Sequence, residues 1–399
     1  MRAVGLAPLF LTVALDLVGF GMVVPLLPLY AERLAGSGHA IAWLLSSYSL
    51  MQFVFAPLWG RLSDRIGRRP VLLTSIFANA GCLLAFAFAQ NYWQLLLARI
   101  GAGICTANLA VASAYVADVT DAQDRARGMG LVGAAFGLGF VLGPFFASEL
   151  VRFGLMAPAL TACGLSVANG LWAARSLPES LPPEGRARAL PRAPCWAARW
   201  RLLAARPALW RLYGLIFLQV GGFAMMEMAL SLFCARRFGL TPAHTGRLLA
   251  FVGVVMVVVQ GTMVAPILRR LGERGVVPWS LAGLSLALWA LPALAARGAG
   301  LCGLLAALGL LAACQGLVAA SLSALVSKAA PAGAQGAALG LSQSSSALAR
   351  TVGPALAGLL LDARGIDTPL YGAAAVVALA MGLALVGWEP AASPSVEQR

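Results

Sequence analysis

The sequence predicts an all-α membrane protein, with twelve transmembrane helices arranged as two pseudo-symmetric six-helix bundles. Three observations lead there. Of the 399 residues, 60% are hydrophobic and 11% charged, whereas a soluble globular domain carries about 25% charged residues. No soluble fold can hide that much apolar surface, and mean hydropathy is +0.84. The apolar residues fall into twelve runs of about 20, the length that crosses a hydrocarbon core. Finally, Gly143-Pro144 recurs as Gly353-Pro354, 210 positions on, and Ala56-Pro57 recurs as Ala265-Pro266, 209 positions on. Paired repeats of this kind mark carriers built around a central site.

The runs, taken in order, are justified as follows. The first, 5–30, is too long for a signal-peptide core and is read as a retained helix; it carries Asp16. The second, 40–59, is joined to the third, 70–90, by the short charged loop Gly60-Arg-Leu-Ser-Asp64-Arg65-Ile-Gly67-Arg68-Arg69. The fourth, 93–117, holds Arg99 and Asn108, and the fifth, 126–149, is rich in glycine. The sixth, 154–175, is followed by a Pro- and Arg-rich stretch. The seventh, 209–235, holds Glu227. The eighth, 245–268, ends in Arg269-Arg-Leu-Gly272-Glu-Arg274, a degraded copy of the segment after the second run. The ninth, 276–296, has no acidic residue. The tenth, 299–326, holds Gln315; the eleventh, 334–361, holds Gln343 and Arg350; the twelfth is 369–388. The expected organisation is an N-terminal bundle over 1–175, a cytoplasmic linker over 176–208, and a C-terminal bundle with a short tail over 209–399.

Topology follows from the basic residues. The formal charge is +14, and 28 of the 29 basic residues are arginine. With the N-terminus inside, 20 basic residues fall in cytoplasmic segments and 7 outside. That bias places both termini in the cytoplasm. A charge confined to one face is a topology signal and an attraction to anionic lipid, so nucleic acid is not an expected partner. The seven cysteines form no CxxC pair, and six lie in apolar runs. With only His39 and His244, a metal site is not expected, and neither is a cofactor.

Several segments carry a family resemblance. The 60–69 segment resembles the signature G-x-L-x-D-R-x-G-R-[KR] of the major facilitator superfamily, with matches at Gly60, Leu62, Asp64, Arg65, Gly67, Arg68 and Arg69. The fifth run resembles the drug–proton antiporter signature through Gly130, Gly139, Gly143 and Pro144, with Ala147-Ser148 where that pattern has two glycines. The first run, from Leu15-Asp16 to Pro25-Leu-Leu-Pro28, and Tyr115-Val-Ala-Asp118 are similar to tetracycline-efflux transporters. The resemblance implies the major facilitator fold and proton-coupled drug export. It also implies that Arg99 takes part in proton coupling. Tetracycline-efflux proteins carry an acid in the ninth helix. Its absence here argues against tetracycline as the substrate and leaves either Glu227 to take over or a different coupling stoichiometry.

The residues support distinct roles. In the 60–69 segment, Gly60 and Gly67 allow close backbone approach and a tight turn. Asp64 can face the positive start of the eleventh helix near Gly333–Gly336, and Arg65 can pair with Asp118. Those contacts, with Arg68, form a cytoplasmic gate. In the fifth run, Gly130, Gly133, Gly137, Gly139 and Gly143 admit a neighbouring helix, and Pro144 bends the run. Charges at bilayer depth cost several kcal/mol and mark function by default. Asp16, Arg99, Glu227 and Arg350 are therefore the proton-coupling candidates. Asn108, Gln315 and Gln343 are cavity candidates beside them, together with Gln219, Gln260, Ser342, Ser346, Phe223, Met225 and Met226.

The expected function is export of small amphipathic compounds in exchange for protons by alternating access, by a monomer in a bacterial inner membrane. The partners are a small-molecule substrate, protons and the lipid bilayer. The alternative is proton-coupled uptake or facilitated transport of a metabolite. An intramembrane enzyme would need a catalytic cluster of His, Asp or Ser, and the sequence offers none, so the chain is not expected to be an enzyme.

Overall fold

In a computed structural model, the described residues are 6–34, 37–106, 108–120, 125–181, 207–330 and 335–386. They form fourteen α-helices and no strand: α1 Leu6–Val23, α2 Leu27–Leu34, α3 Gly38–Ile66, α4 Arg68–Ala87, α5 Tyr92–Cys105, α6 Asn108–Val119, α7 Arg125–Leu150, α8 Met156–Ser176, α9 Pro207–Phe238, α10 Pro242–Val258, α11 Val264–Ala296, α12 Gly300–Ala329, α13 Gln335–Arg364 and α14 Thr368–Leu385. Most of the expected linker lies outside the described residues.

These helices make up the twelve runs. A 3₁₀ turn at Val24–Leu26, containing Pro25, joins α1 to α2 within the first run. The fourth run is divided into α5 and α6. The eighth run is α10, a π-helical turn at Val259–Met263 and the start of α11. The step to the ninth run falls inside α11, where Gly272, at φ +67°, breaks the helix. The 60–69 segment differs from expectation. It is not a loop but two helix ends, because α3 runs to Ile66 and α4 begins at Arg68. Gly67 alone separates them, at φ +108°, a conformation that a side chain would strain.

Side-chain caps start several helices. Ser37 accepts the Ala40 N–H at α3, Asn91 the Gln94 N–H at α5, and Thr241 the His244 N–H ahead of Pro242 at α10. Each satisfies a donor that the helix cannot.

Small residues set the closest crossings. In the first half, α1 packs on α7: a methyl on Gly143 would lie 2.5 Å from Gly21 Cα, and one on Gly139 would lie 2.7 Å from Leu17 Cβ. In the second half, α9 packs on α13, where a methyl on Gly353 would meet the Gly221 carbonyl at 2.6 Å. The repeat seen in sequence is thus a repeated crossing.

The halves meet through α3 with α13 and α7 with α10. Ser46 donates to the Thr351 carbonyl at 2.6 Å, Gly38 abuts Gly358, and Gly246 abuts Ser148. Between α9 and the turn after α1, Ser231 donates to the Pro25 carbonyl. Among the described residues, all these contacts lie in the half of the bundle remote from 60–69. One large apolar core spans both halves. A second, around Leu72, Val116 and Tyr115, belongs to the first half near the 60–69 end.

Among the described residues, seven helical stretches are long and apolar enough to cross a membrane by length and composition. Their outer faces carry large apolar side chains in the open, such as Trp279 at 78% and Leu379 at 63% exposure. Such a surface fits lipid rather than water.

Candidate functional site: a charged central cavity and an arginine-rich gate

Phe20, Gly21, Pro25, Phe140, Phe223 and Met256 help to line a cavity between α1, α7, α9 and α10. Pro144 and Gly139 of α7 also line it. Phe140 and Phe223 meet edge to face across the halves at 6.4 Å. Among the described residues, Glu227 is the one charged side chain in the lining. The enclosed space, ≈ 20 Å³, takes about one water, so a drug-sized ligand requires the cavity to widen.

Glu227 lies within electrostatic reach of Arg99 on α5 and Arg350 on α13, yet no ion pair joins them. Arg99 is 4% exposed. Its Nε donates to the Leu44 carbonyl at 3.3 Å, and its guanidinium stands 4.4 Å from the centre of the Tyr48 ring, an attractive cation–π arrangement. Tyr48 stacks on Phe20 at 4.9 Å, and its hydroxyl is 2.6 Å from Thr106 Oγ1. Tyr48 is also within electrostatic reach of Asp16 and Arg350. Asp16 accepts from Asn79 Nδ2 at 3.4 Å. Tyr48 therefore sits among Asp16, Arg99 and Arg350, and residue-type reasoning missed it. Its signal was the unbroken hydroxyl run Ser46-Ser47-Tyr48-Ser49 inside an apolar stretch.

The other predicted cavity residues are dispersed. Gln219 donates to Gln315 at 2.6 Å, tying α9 to α12 inside the second half. Met225 and Met226 are core. Gln343 and Gln260 are exposed, Ser342 is buried and Ser346 half-buried. The side chain of Asn108 lies outside the described residues, as do the surroundings of Gly130. Of the fifth-run glycines, Gly139 and Gly143 pack on α1 within their own half. Gly137, where a methyl would lie 3.3 Å from Val257 Cγ2, and the Pro144 carbonyl, 2.9 Å from a methyl placed on Gly246, face the other half.

At the arginine-rich end, Arg68 is the hub. Its guanidinium pairs with Asp64 at 2.6 Å and with Asp118 at 3.0 Å, and donates to Ser63 Oγ at 2.6 Å. The expected pairing of Asp118 with Arg65 is corrected: Arg65 is exposed, because the break at Gly67 turns Arg68 inward instead. The expected close approach at Gly60 is also absent from this conformation, since a methyl there would meet nothing within 4 Å. Part of Asp64's expected partner, near Gly333–Gly336, is outside the described residues.

Glu179, which follows α8, was not anticipated. Its carboxylate accepts the backbone N–H groups of Arg68, at 2.9 Å, and Arg69, at 3.3 Å. It thereby caps α4 where the helix end is positive. Arg69 in turn donates to the Ala174 carbonyl. Ser180 donates to Asp118 at 3.1 Å and Tyr115 to the Pro178 carbonyl at 2.9 Å. The acid immediately after Pro178, at the end of the sixth run, was the available signal. Among the described residues, no group of three or more His, Cys, Asp or Glu is placed to hold a metal ion.

Comparison with known proteins agrees with this architecture. The sequence profile of the Major Facilitator Superfamily matches residues 9–302 and 261–398. The chain is 37% identical over 294 residues to the class C tetracycline resistance protein of Escherichia coli, covering 72% of this chain and 73% of that one. It is 34% identical over 279 residues to the class G protein of Vibrio anguillarum, covering 68% and 70%. Among solved structures, the human organic anion transporter MFSD10 (TETRAN) aligns with a TM-score of 0.72 at 27% identity, over 96% of this chain and 99% of that one. A bacterial homologue of the lysosomal transporter Spinster, inward-facing and unoccupied, aligns at 0.78 and 14% identity, which speaks to the fold alone. With its helical repeats, its charged helix junction and these matches, the chain belongs to the Major Facilitator Superfamily and is a multi-pass membrane transporter.

Proposed function

We propose that the chain exports small amphipathic compounds in exchange for protons, by alternating access, as a monomer in a bacterial inner membrane. The arginine-rich end and both termini face the cytoplasm; the opposite end is the outer end. The division into bundles over 1–175 and 209–399, joined by a cytoplasmic linker, is part of this reading.

The observation that carries it is Glu227. It is the ionisable side chain of the cavity lining, and it faces Arg99 and Arg350 without bonding to either. A carboxyl so placed can hold a proton when the cavity is empty. It gives the proton up when a cationic or polar substrate head arrives beside it. Asp16, on the same central network, is the second proton candidate. The names of the tetracycline-resistance relatives support export. The arginine-rich junction, Asp64–Arg68–Asp118, would close the cytoplasmic side in the opposite state.

A second reading concerns substrate charge. Arg99 and Arg350 both lie near the cavity with no carboxylate of the described residues within 4 Å, which favours an anionic or zwitterionic head. The likeness to a human organic anion transporter supports it.

Proteoliposomes enclosing a pH-sensitive dye test the proposal. A proton gradient is imposed, and panels of lipophilic cations and amphipathic anions are added. Compound-triggered proton movement that is lost in Glu227→Gln and Asp16→Asn is the expected result. Substrate equilibration with no proton movement in the parent chain would leave a facilitator and refute the exchange.

A further inference from the structure

We infer that Asp362 and Glu149 are outer-gate latches, one on each side of the molecule and repeated between the two halves, that hold the carrier closed at the end remote from residues 60–69. The inference goes beyond the exchange reading and draws only on its alternating-access step.

The first latch joins α13 to α3. Gly38 and Gly358 cross so closely that a methyl on Gly38 would lie 2.7 Å from the Gly358 carbonyl and 2.8 Å from Asp362 Oδ1. One turn beyond Gly358, the Asp362 carboxylate accepts the N–H of Gly38 at 2.7 Å and of His39 at 3.0 Å. The His39 ring also contacts it. Ser37 takes the next donor, Ala40 N–H, at 3.3 Å. The first turn of a helix in one half is thus completed by a carboxylate from the other, where the helix end is positive.

The second latch joins α7 to α10. A methyl on Gly246 would lie 2.7 Å from Ser148 Cβ. The neighbouring Glu149 accepts from Arg247 Nη2 at 2.8 Å and Nε at 3.0 Å. Arg152 on its own side stands 3.6 Å away.

The two latches occupy corresponding places in the repeat. The offsets of 209 and 210 that relate Ala56 to Ala265 and Gly143 to Gly353 carry Gly38 onto Arg247 and Ser148 onto Gly358. In each helix pair a small-residue crossing is followed, within about a turn, by an acid that grips the start of the partner helix, its first turn at α3 and its second turn at α10. Helix-start capping does this on one side and an arginine on the other. Separating the halves at this end breaks both grips at once.

The α3–α13 pair also carries a carboxylate at each end. Asp362 stands at the end of α13 beside the start of α3, and Asp64 stands on the last turn of α3, at the end where α13 begins. A rocking motion exchanges one for the other.

The test is access to the cavity from outside. Leu249 lines the cavity just below the second latch. Leu249→Cys is placed in the full chain with its seven native cysteines replaced by alanine, in right-side-out vesicles, and labelled with a membrane-impermeant maleimide. No substrate or proton gradient is needed, so the result stands apart from the fate of the exchange reading. Asp362→Ala should raise the labelling rate about tenfold, the scale of one lost charged hydrogen-bond group. Glu149→Ala should raise it about threefold, because its partner Arg247 is 56% exposed and such pairs contribute less. The double variant should approach about thirtyfold, because the sites are independent. Asp362→Asn, which keeps an acceptor, should fall between. Labelling of the double variant within about threefold of the parent overturns the proposal. If the alanine variants do not fold, His39→Cys with Asp362→Cys answers the question instead. Oxidation by copper phenanthroline should abolish outside labelling at position 249, and reductant should restore it. Outside labelling that continues with the cross-link formed overturns the proposal equally.

Discussion

Arg68→Ala tests whether this arginine, rather than its neighbour, is the hub of the cytoplasmic gate. The substitution removes three side-chain interactions and leaves the backbone bond to Glu179 in place. The Asp64 pair has a half-exposed acid, 50% accessible, and is worth about 0.5 kcal/mol. The Asp118 pair joins an arginine side chain 8% exposed to an acid 24% exposed and is worth about 1.5 kcal/mol. The Ser63 bond adds about 1 kcal/mol. The expected loss is therefore about 3 kcal/mol, after which Asp118 keeps the Ser180 hydroxyl. Arg68→Lys should lose about half of this, because one ammonium cannot serve Asp118, Ser63 and Asp64 as a planar fork does. Arg65→Ala should cost less than about 0.5 kcal/mol, the usual result for an exposed site. The assay is the unfolding midpoint of the detergent-solubilised protein, read for the four chains side by side. Arg65→Ala costing as much as Arg68→Ala, or Arg68→Lys matching the parent, would refute the assignment.

Three further substitutions have defined outcomes. Glu179→Gln should cost about 1 kcal/mol in the same assay, because the charge that caps Arg68 and Arg69 N–H is lost. An unshifted midpoint would deny Glu179 that role. Gly143→Ala should cost about 1–3 kcal/mol by overpacking, since the new methyl falls 2.5 Å from Gly21 Cα and neither backbone can yield cheaply. Full stability in the variant would mean that α1 and α7 are free to separate. Tyr48→Phe should cost about 1 kcal/mol through the contact with Thr106, and should slow proton-coupled transport measured in proteoliposomes. Unaltered transport would reduce Tyr48 to a packing residue.

Much of the fold was legible because hydrophobic length and arginine placement are direct consequences of a bilayer. The repeat could be read from glycines because each marks a crossing where only hydrogen fits: Gly143 against Gly21, and Gly353 against Gly221. The gate was legible as a place but not as a set of pairs. Dense charge made 60–69 look like a loop, yet arginine and leucine are good helix formers, and the segment is helix on both sides of Gly67. Which arginine meets Asp118 depends on helical phase across that one residue, and composition does not encode it. Glu149 and Asp362 were passed over for a related reason. An acid near a helix end reads as solvated until its partner helix, 98 or 324 positions away in sequence, is in place. In the cavity, ionisable type found Glu227 and Arg99. It overvalued amides such as Gln315, whose hydrogen bond is spent on Gln219.

The distribution of these contacts bears on how the central charges survive at bilayer depth. Among the described residues, Glu227 and Arg350 make no hydrogen bond or ion pair, and Arg99 has one carbonyl and one aromatic face. Isolated charges in hydrocarbon cost several kcal/mol each, so this network is tenable only with water or a ligand head among its members. The enclosed pocket beside Glu227 takes about one water, which is too little to solvate the two arginines, with or without a proton on Glu227. The remaining supply is the arginine-rich end, toward which none of the inter-half contacts named above extends. The inter-half contacts of the described residues lie toward the latched end, and the second apolar core ties the first half to itself near 60–69 rather than to its partner. A carrier latched at one end and parted at the other admits water to Glu227, Arg99 and Arg350 from the arginine-rich side alone. The same opening gives a proton on Glu227 a way out on that side, and it must close before the latches at Asp362 and Glu149 release. If both ends parted together, the three charges would connect the two faces through water and the proton gradient would leak.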